Sequence, residues 1–206
     1  MIFYEPGRRP DLLPHDPFKA LVAPRPIGWI STVGPDGEPN LAPYSYFNAV
    51  CDRPPLLAFS SSVLAGGEPK HSAAFAAATR EFVWNLATYD LREAMNATSA
   101  HLPAGVSEFA HAGLEPAPSR LVAPPRVAAS PCAMECRVVE HLRLRDVEGR
   151  ELDRHLVIGQ VVGVHLDERY VVDGTVDTAA LRPIARCGNL GDYVVVDRLF
   201  DMPRPD

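Results

Sequence analysis

Apolar positions in this chain alternate with polar ones more often than they recur at helical spacing, so the pattern predicts strands before helices. In RPIGWISTV, Ile27, Trp29, Ser31 and Val33 fall on one face of the first strand. Gly34-Pro35-Asp36-Gly37 follows, with proline second and glycine fourth, as suits a type I turn closing a hairpin. The next strand opens at Glu38-Pro39-Asn40 and runs through NLAPYSYFNAV to Val50, where Pro43, Ser45 and Asn48 interrupt a row of aromatics. Asp52-Arg53-Pro54-Pro55 ends it. LLAFSSS is a third strand and REFVWNL a fourth.

The clearest alternation starts at Cys132. Cys132, Met134, Cys136, Val138, Leu142 and Leu144 are apolar, and Glu135, Arg137, His141 and Arg143 between them are polar. Asp146-Val147-Glu148-Gly149 makes a turn, and His155 to Leu166 returns with Leu156, Ile158, Val162 and Val164 on one side. A long hairpin with alternating faces predicts an antiparallel sheet, rolled into a barrel.

Helical segments are few. FKALVAP is a short amphipathic patch, and GGEPKHSAAFAAAT reads as a helix with Pro69 at its first position, where a missing N–H costs nothing. Asp90-Leu91-Arg92-Glu93 resembles a capping box opening a second helix that runs to about Ala100. Residues 101–126 read as a long proline-rich loop, a length usually reserved for function or disorder. The organisation expected is a proline-rich leader over 1–17, one domain over 18–200 and a tail over 201–206.

Composition narrows the functional classes. With 47% hydrophobic residues among 206, the chain can bury a sizeable core. A net charge of −6 argues against a nucleic-acid partner, which would need a basic face. The leader is broken by Pro6, Pro10, Pro14 and Pro17 and lacks the apolar stretch of a signal peptide. No apolar run approaches the ~18 residues of a membrane helix. Cys51, Cys132, Cys136 and Cys187 lack C-x-x-C spacing. Cys132 and Cys136, about 13 Å apart along one strand, cannot bond, and all four read as reduced thiols of a cytoplasmic protein. The seven histidines show no metal-ligand spacing, and G-x-G-x-x-G, Walker A, H-E-x-x-H and G-x-S-x-G motifs are absent.

The positive signal is a set of anion-binding parts. Ser60, Ser61 and Ser62 end a strand, two glycines follow, and Lys70, His71 and Ser72 lie at a helix start. Unpaired N–H groups there attract an anion, and a lysine with hydroxyls completes a phosphate cradle. The plainer reading is a solvated loop. Tyr44, Tyr46 and Phe47 could pack on a flat ring while Ser45 and Asn48 address its polar edge, or the aromatics could simply be core. Together the two sets suggest a mononucleotide cofactor.

RPIGWISTVGPDGEPNLAPYSYFNAVCDRPPLLAFSSS resembles the N-terminal signature of the flavin reductase-like, FMN-binding split-barrel family: an R-P-I strand, a D-G turn, N-L-A-P-[FY]-S and a D-P-P-L strand. The similarity continues through PKHSAAFAAATREFVWNL and HLVIGQVVGVHLDE to LRPIARCGNLGDYVVV, covering most of residues 18–196. His71 stands where the family's K-D-T has aspartate, and Asn189 where a second glycine is common. The resemblance implies a mainly β chain with a few helices, folded as a Greek-key, antiparallel split β-barrel. It also implies a homodimer binding FMN near its interface. Ser45, Tyr46, Phe47 and Asn48 would then lie along the isoalloxazine. Ser60, Ser61, Ser62, Lys70, His71 and Ser72 would lie around the phosphate. Arg25 and Ser31 would line the pocket, and Gly191 to Tyr193 would close the ring site.

The activity implied is an NAD(P)H:flavin oxidoreductase, with NADH or NADPH as hydride donor and a monooxygenase as possible partner. Hydride transfer between stacked rings needs no acid/base pair, which accords with the lack of an obvious one. His71 and His165 are candidate proton donors beside their plainer reading as structural or surface histidines. Two alternatives stand: an FMN-binding electron carrier without nicotinamide activity, and a β-barrel binding or assembly module.

Overall fold

A computed structural model of the chain describes residues 1–102, 105–188 and 191–205. Its centre is one seven-stranded antiparallel sheet. The strands are β1 (Gly28–Val33), β2 (Pro39–Tyr44), β3 (Phe47–Asp52), β4 (Pro55–Ser62), β5 (Glu81–Asn85), β6 (Cys132–Arg145) and β7 (Glu151–Leu166). Their order across the sheet is β2-β1-β5-β6-β7-β4-β3. The helices that matter for the site are α1 (His71–Thr79), α2 (Arg92–Ala97) and α3 (Glu108–His111). This is the split-barrel architecture expected.

The predicted β1–β2 hairpin is present. Gly37 donates its N–H to the Gly34 carbonyl at 2.9 Å, with φ of +84°, a conformation glycine adopts without strain. The single strand expected from Asn40 to Val50 is instead two strands separated at Ser45-Tyr46. Those strands form opposite edges of the sheet, although only two residues join them. The sheet must therefore roll until its edges nearly meet, which places the split between β2 and β3. Pro39 and Pro43 have no N–H for a ladder and are tolerated because β2 pairs on one side only. The bend is tied back by the Ser60 N–H, which donates to the Tyr46 carbonyl at 2.8 Å.

Rolling the sheet produces two cores, and β1 serves both. Ile30 packs inside with Phe59, Phe82, Val157 and the small Ala73 and Ala76 of α1. Its neighbour Trp29 points to the other face, with Leu41, Met95, Phe109 and Val127. Alternation along the strand thus sends apolar groups both ways, and no face of β1 meets water. Gly159 of β7 lies under the Phe82 ring, where a Cβ would stand 2.3 Å from a ring carbon.

Other local expectations shift for identifiable reasons. Helix α1 starts at His71 with Lys70 as its extended N-cap, because Pro69 is held one residue outside by a bridge to Val63. The Asp90 capping box does not form: Asp90 pairs with Arg182 at 3.2 Å, and α2 ends at Ala97. The segment read as a loop over 101–126 carries α3 and buries Phe109 and Leu114 over the Trp29 core. Along β6 the polar register is not all outward. Glu135 is fully buried, whereas Leu142 near the hairpin tip is 43% exposed because the strands run beyond the core there. All four cysteines are free. Among the described residues, no helix is long and apolar enough to cross a membrane.

Candidate functional site

The start of α1 supplies the chemistry. The Lys70 carbonyl accepts from the Ala73 and Ala74 N–H groups, so helical bonding leaves the N–H groups of His71 and Ser72 without an intrahelical acceptor. Lys70 makes no side-chain capping bond. The His71 ring stacks on Phe75 with centroids 5.2 Å apart, one turn further along α1. Ser72 is buried, and its Oγ accepts from Asn40 Nδ2 at 2.8 Å. The same nitrogen also reaches Thr32 Oγ1 at 3.2 Å.

Strand β2 forms the facing wall. Its period of two puts Asn40, Ala42 and Tyr44 on one side, and all three line a cleft of about 560 Å³ with Lys70, His71 and Ser72. Burial pushes the Tyr44 phenol above its ordinary range. Hydrogen bonds with Ser72 and Ser61 oppose that rise, and the Glu108 carboxylate adds to it. Glu108 of α3 also accepts from the Leu41 N–H at 3.3 Å, which fixes the α3 segment to the cleft's rim. The cleft therefore joins a cation and free helix amides at one end to an apolar wall containing Pro43, Leu64, Phe75 and Val106. This is the makeup of a site for a ligand with an anionic group and an apolar body.

The residues predicted for the site divide into three groups. Lys70, His71 and Ser72 line the cleft, and Ser61 joins them through Tyr44. Ser61 Oγ donates to the Ser62 carbonyl at 3.1 Å, and Ser60 Oγ is buried with no partner among the described residues. Ser45, Tyr46, Phe47 and Asn48 follow Tyr44 out of the cleft. Tyr46 lies beneath the Arg154 guanidinium at 5.2 Å, and Asn48 accepts from the Ala49 N–H at 2.9 Å. Phe47 stacks on Trp84, with centroids 5.8 Å apart and planes 4° from parallel, and its ring covers Gly28.

The remaining three stand apart from the cleft. The buried Arg25 donates to the carbonyls of Lys19, Val22 and Cys187. Ser31 donates to the Pro125 carbonyl. Tyr193 pairs with Arg25's neighbouring strand: Arg186, opposite both, donates to the Tyr193 hydroxyl at 2.7 Å. Asn189 lies outside the described residues. Of the two candidate proton donors only His71 is in the cleft, since His165 bonds to the buried Glu135 at 2.5 Å elsewhere.

Sequence reading missed Asn40 and Glu108 as members of the site and offered Tyr44 only as a packing surface for a flat ring. Asn40 had a usable signal, because it alternates with Tyr44 on the strand that carries N-L-A-P-Y-S. Glu108 had none, because only packing of the 101–126 segment brings it to β2.

Residues 21–176 match the family described as flavin reductase like domain. An uncharacterized protein of Deinococcus radiodurans is 38% identical over 90% of this chain and 82% of its own. Among solved structures, nitrilotriacetate monooxygenase component B from Bacillus cereus superposes with a TM-score of 0.88. It is 30% identical, with 98% of each chain covered. Flavoredoxin of Desulfovibrio vulgaris has the same fold, with a TM-score of 0.75 over 88% of this chain and 91% of that one, at 19% identity.

Proposed function

This chain belongs to the flavin reductase-like domain family, and on that premise we propose that it is an FMN-dependent NAD(P)H:flavin oxidoreductase. The observation that carries the reading is the cleft at the start of α1, where Lys70 and the free N–H groups of His71 and Ser72 meet an apolar wall. A flavin phosphate fits the polar end, since helix-start amides and an ammonium both favour a dianion. Bound FMN supplies the hydride acceptor.

The chain's own residues bind and orient. Lys70, Ser72 and Ser61 address the phosphate, with His71 and the neighbouring Ser60 and Ser62 around it. Asn40 holds the Ser72 hydroxyl in place. Ser45, Tyr46, Phe47 and Asn48 are assigned to the ring, beyond Tyr44, with Tyr193 closing it and Arg25 and Ser31 bracing the surrounding backbone. Exclusion of water by the α3 segment would help hold a nicotinamide against the ring. A homodimer, in which a second copy covers the exposed β3 edge, is part of the reading. So is NADH or NADPH as donor. The 30% identity with a monooxygenase component supports a monooxygenase as consumer of the reduced flavin.

Two measurements test this. Lys70→Ala is expected to weaken FMN binding at least tenfold and riboflavin binding little, because only FMN carries the charge. Equal losses would remove Lys70 from the phosphate site. Anaerobic mixing of the FMN-loaded protein with NADH or NADPH is expected to bleach the flavin absorbance. Binding without bleaching by either donor would instead favour the electron-carrier reading.

A further inference from the structure

A second cavity, of about 490 Å³, opens where the 120–131 segment crosses the Gly163–Leu166 end of β7 and the Asp167 that follows it. Two arginines line it, Arg120 and Arg126. Among the described residues neither guanidinium makes a hydrogen bond or ion pair, and the Arg126 Nε is buried with no partner at all. Buried donors are almost always satisfied, and the buried Nε of the half-buried Arg126 is an exception.

The carboxylates nearby do not serve as that acceptor, because other groups already occupy them. Glu135 accepts from the Arg120 N–H at 2.7 Å, the Leu121 N–H at 2.6 Å and His165 Nε2 at 2.5 Å. Asp167 accepts from the Arg169 N–H at 3.0 Å and is clamped by the Arg169 guanidinium, which points away into solvent at 80% exposure. Ser130 Oγ is taken up by the carbonyls of Leu86 and Cys132. Every acidic group of the cavity is thus engaged while both of its arginines are open. That imbalance is what an external anion would correct, since a guanidinium offers paired N–H groups matched to an oxyanion.

We propose that this cavity is a binding site for a small oxyanion ligand, a carboxylate or a phosphate group seated between Arg126 and Arg120. It is separate from the cleft at α1 and does not depend on the flavin reading. Occupancy would cross-link the 120–131 segment to the sheet through the ligand, adding to the hold that Glu135 already has on the same segment.

Calorimetric titration of the full chain tests it, with inorganic phosphate and succinate as separate probes and sodium chloride at matched ionic strength as the control. In the Lys70→Ala chain, whose α1 cleft has lost its cation, at least one probe is expected to bind saturably at one site per chain, and Arg126→Gln in that background should weaken this binding at least tenfold. Phosphate alone binding points to phosphate esters, and succinate alone to carboxylates. Arg120→Gln, at an exposed position, should weaken binding in the same direction and serves if Arg126→Gln fails to fold. No saturable binding beyond the chloride control overturns the proposal. So does binding that Lys70→Ala abolishes while the arginine variants retain it.

Discussion

Two buried polar clusters of this fold are built differently. The one at α1 joins Thr32, Asn40, Ser72, Tyr44 and Ser61, all neutral, beside an open cleft. The one behind β6 is a single carboxylate, Glu135, surrounded by two backbone N–H groups and His165. In the first, the hydroxyls are tethered yet retain hydrogen-bonding capacity toward the cleft, as a ligand site requires. In the second, the carboxylate's oxygens are occupied by donors of the chain itself, which fastens an otherwise irregular segment to the sheet. Burial of polar groups therefore does not by itself mark function. What distinguishes the clusters is which of them leaves capacity unused.

The largest test of that contrast is Glu135→Ala. It would remove the shared acceptor of two backbone N–H groups and the partly buried His165, at a cost of about 3–5 kcal/mol. Urea unfolding would read this directly. A loss below about 1 kcal/mol would mean that the segment is held by its other ties, such as Glu81 accepting from the Ala123 N–H.

The clusters should also fail at opposite ends of the pH scale. Burial raises the pKa of Glu135, but bonds from His165 and the two amides outweigh it and hold the carboxyl below its ordinary range. A depressed carboxylate contributes stability above its unfolded pKa, and that stability is lost as pH falls through the folded value. Tyr44 is raised, chiefly by burial. Its contribution is full below the ordinary phenol range and lost as pH rises through the higher folded value. Glu135→Gln is therefore expected to flatten the acid limb of a stability-against-pH curve, and Tyr44→Phe the alkaline limb. A variant that flattened the other's limb would show that the two clusters are coupled.

The unequal legibility of these regions has a physical cause. The turn at Gly34–Gly37 depends on local backbone geometry, so Pro35 and Gly37 announced it. The group of polar residues at the start of α1 was similarly local, needing only a lysine, a serine and a helix start in succession. The division of residues 40–50 into two sheet edges was not local. It follows from how far the sheet rolls, which is decided by every strand between β2 and β3. Alternation marked Glu135 only as polar, because it reports which face a residue takes, not whether a distant segment covers that face. Asn40 and Tyr44 fell between these cases, legible as one face of β2 but assignable to a cleft only once α1 was seen opposite.

The smallest expected effect bears most closely on function. Ser72→Ala removes the 2.8 Å acceptor of Asn40 Nδ2 but leaves Thr32 at 3.2 Å, so Asn40 keeps one of its two partners. The stability lost should be about 1 kcal/mol, the ordinary net worth of a buried neutral hydrogen bond. FMN affinity, read by quenching of flavin fluorescence, should fall by a larger factor than stability alone accounts for, because the hydroxyl would be a ligand contact as well as a tether. If Ser72→Ala instead cost as much stability as Glu135→Ala and left FMN binding intact, the α1 cluster would be structural too. The contrast between a polar cluster that closes on itself and one that waits for a ligand would then have to be abandoned.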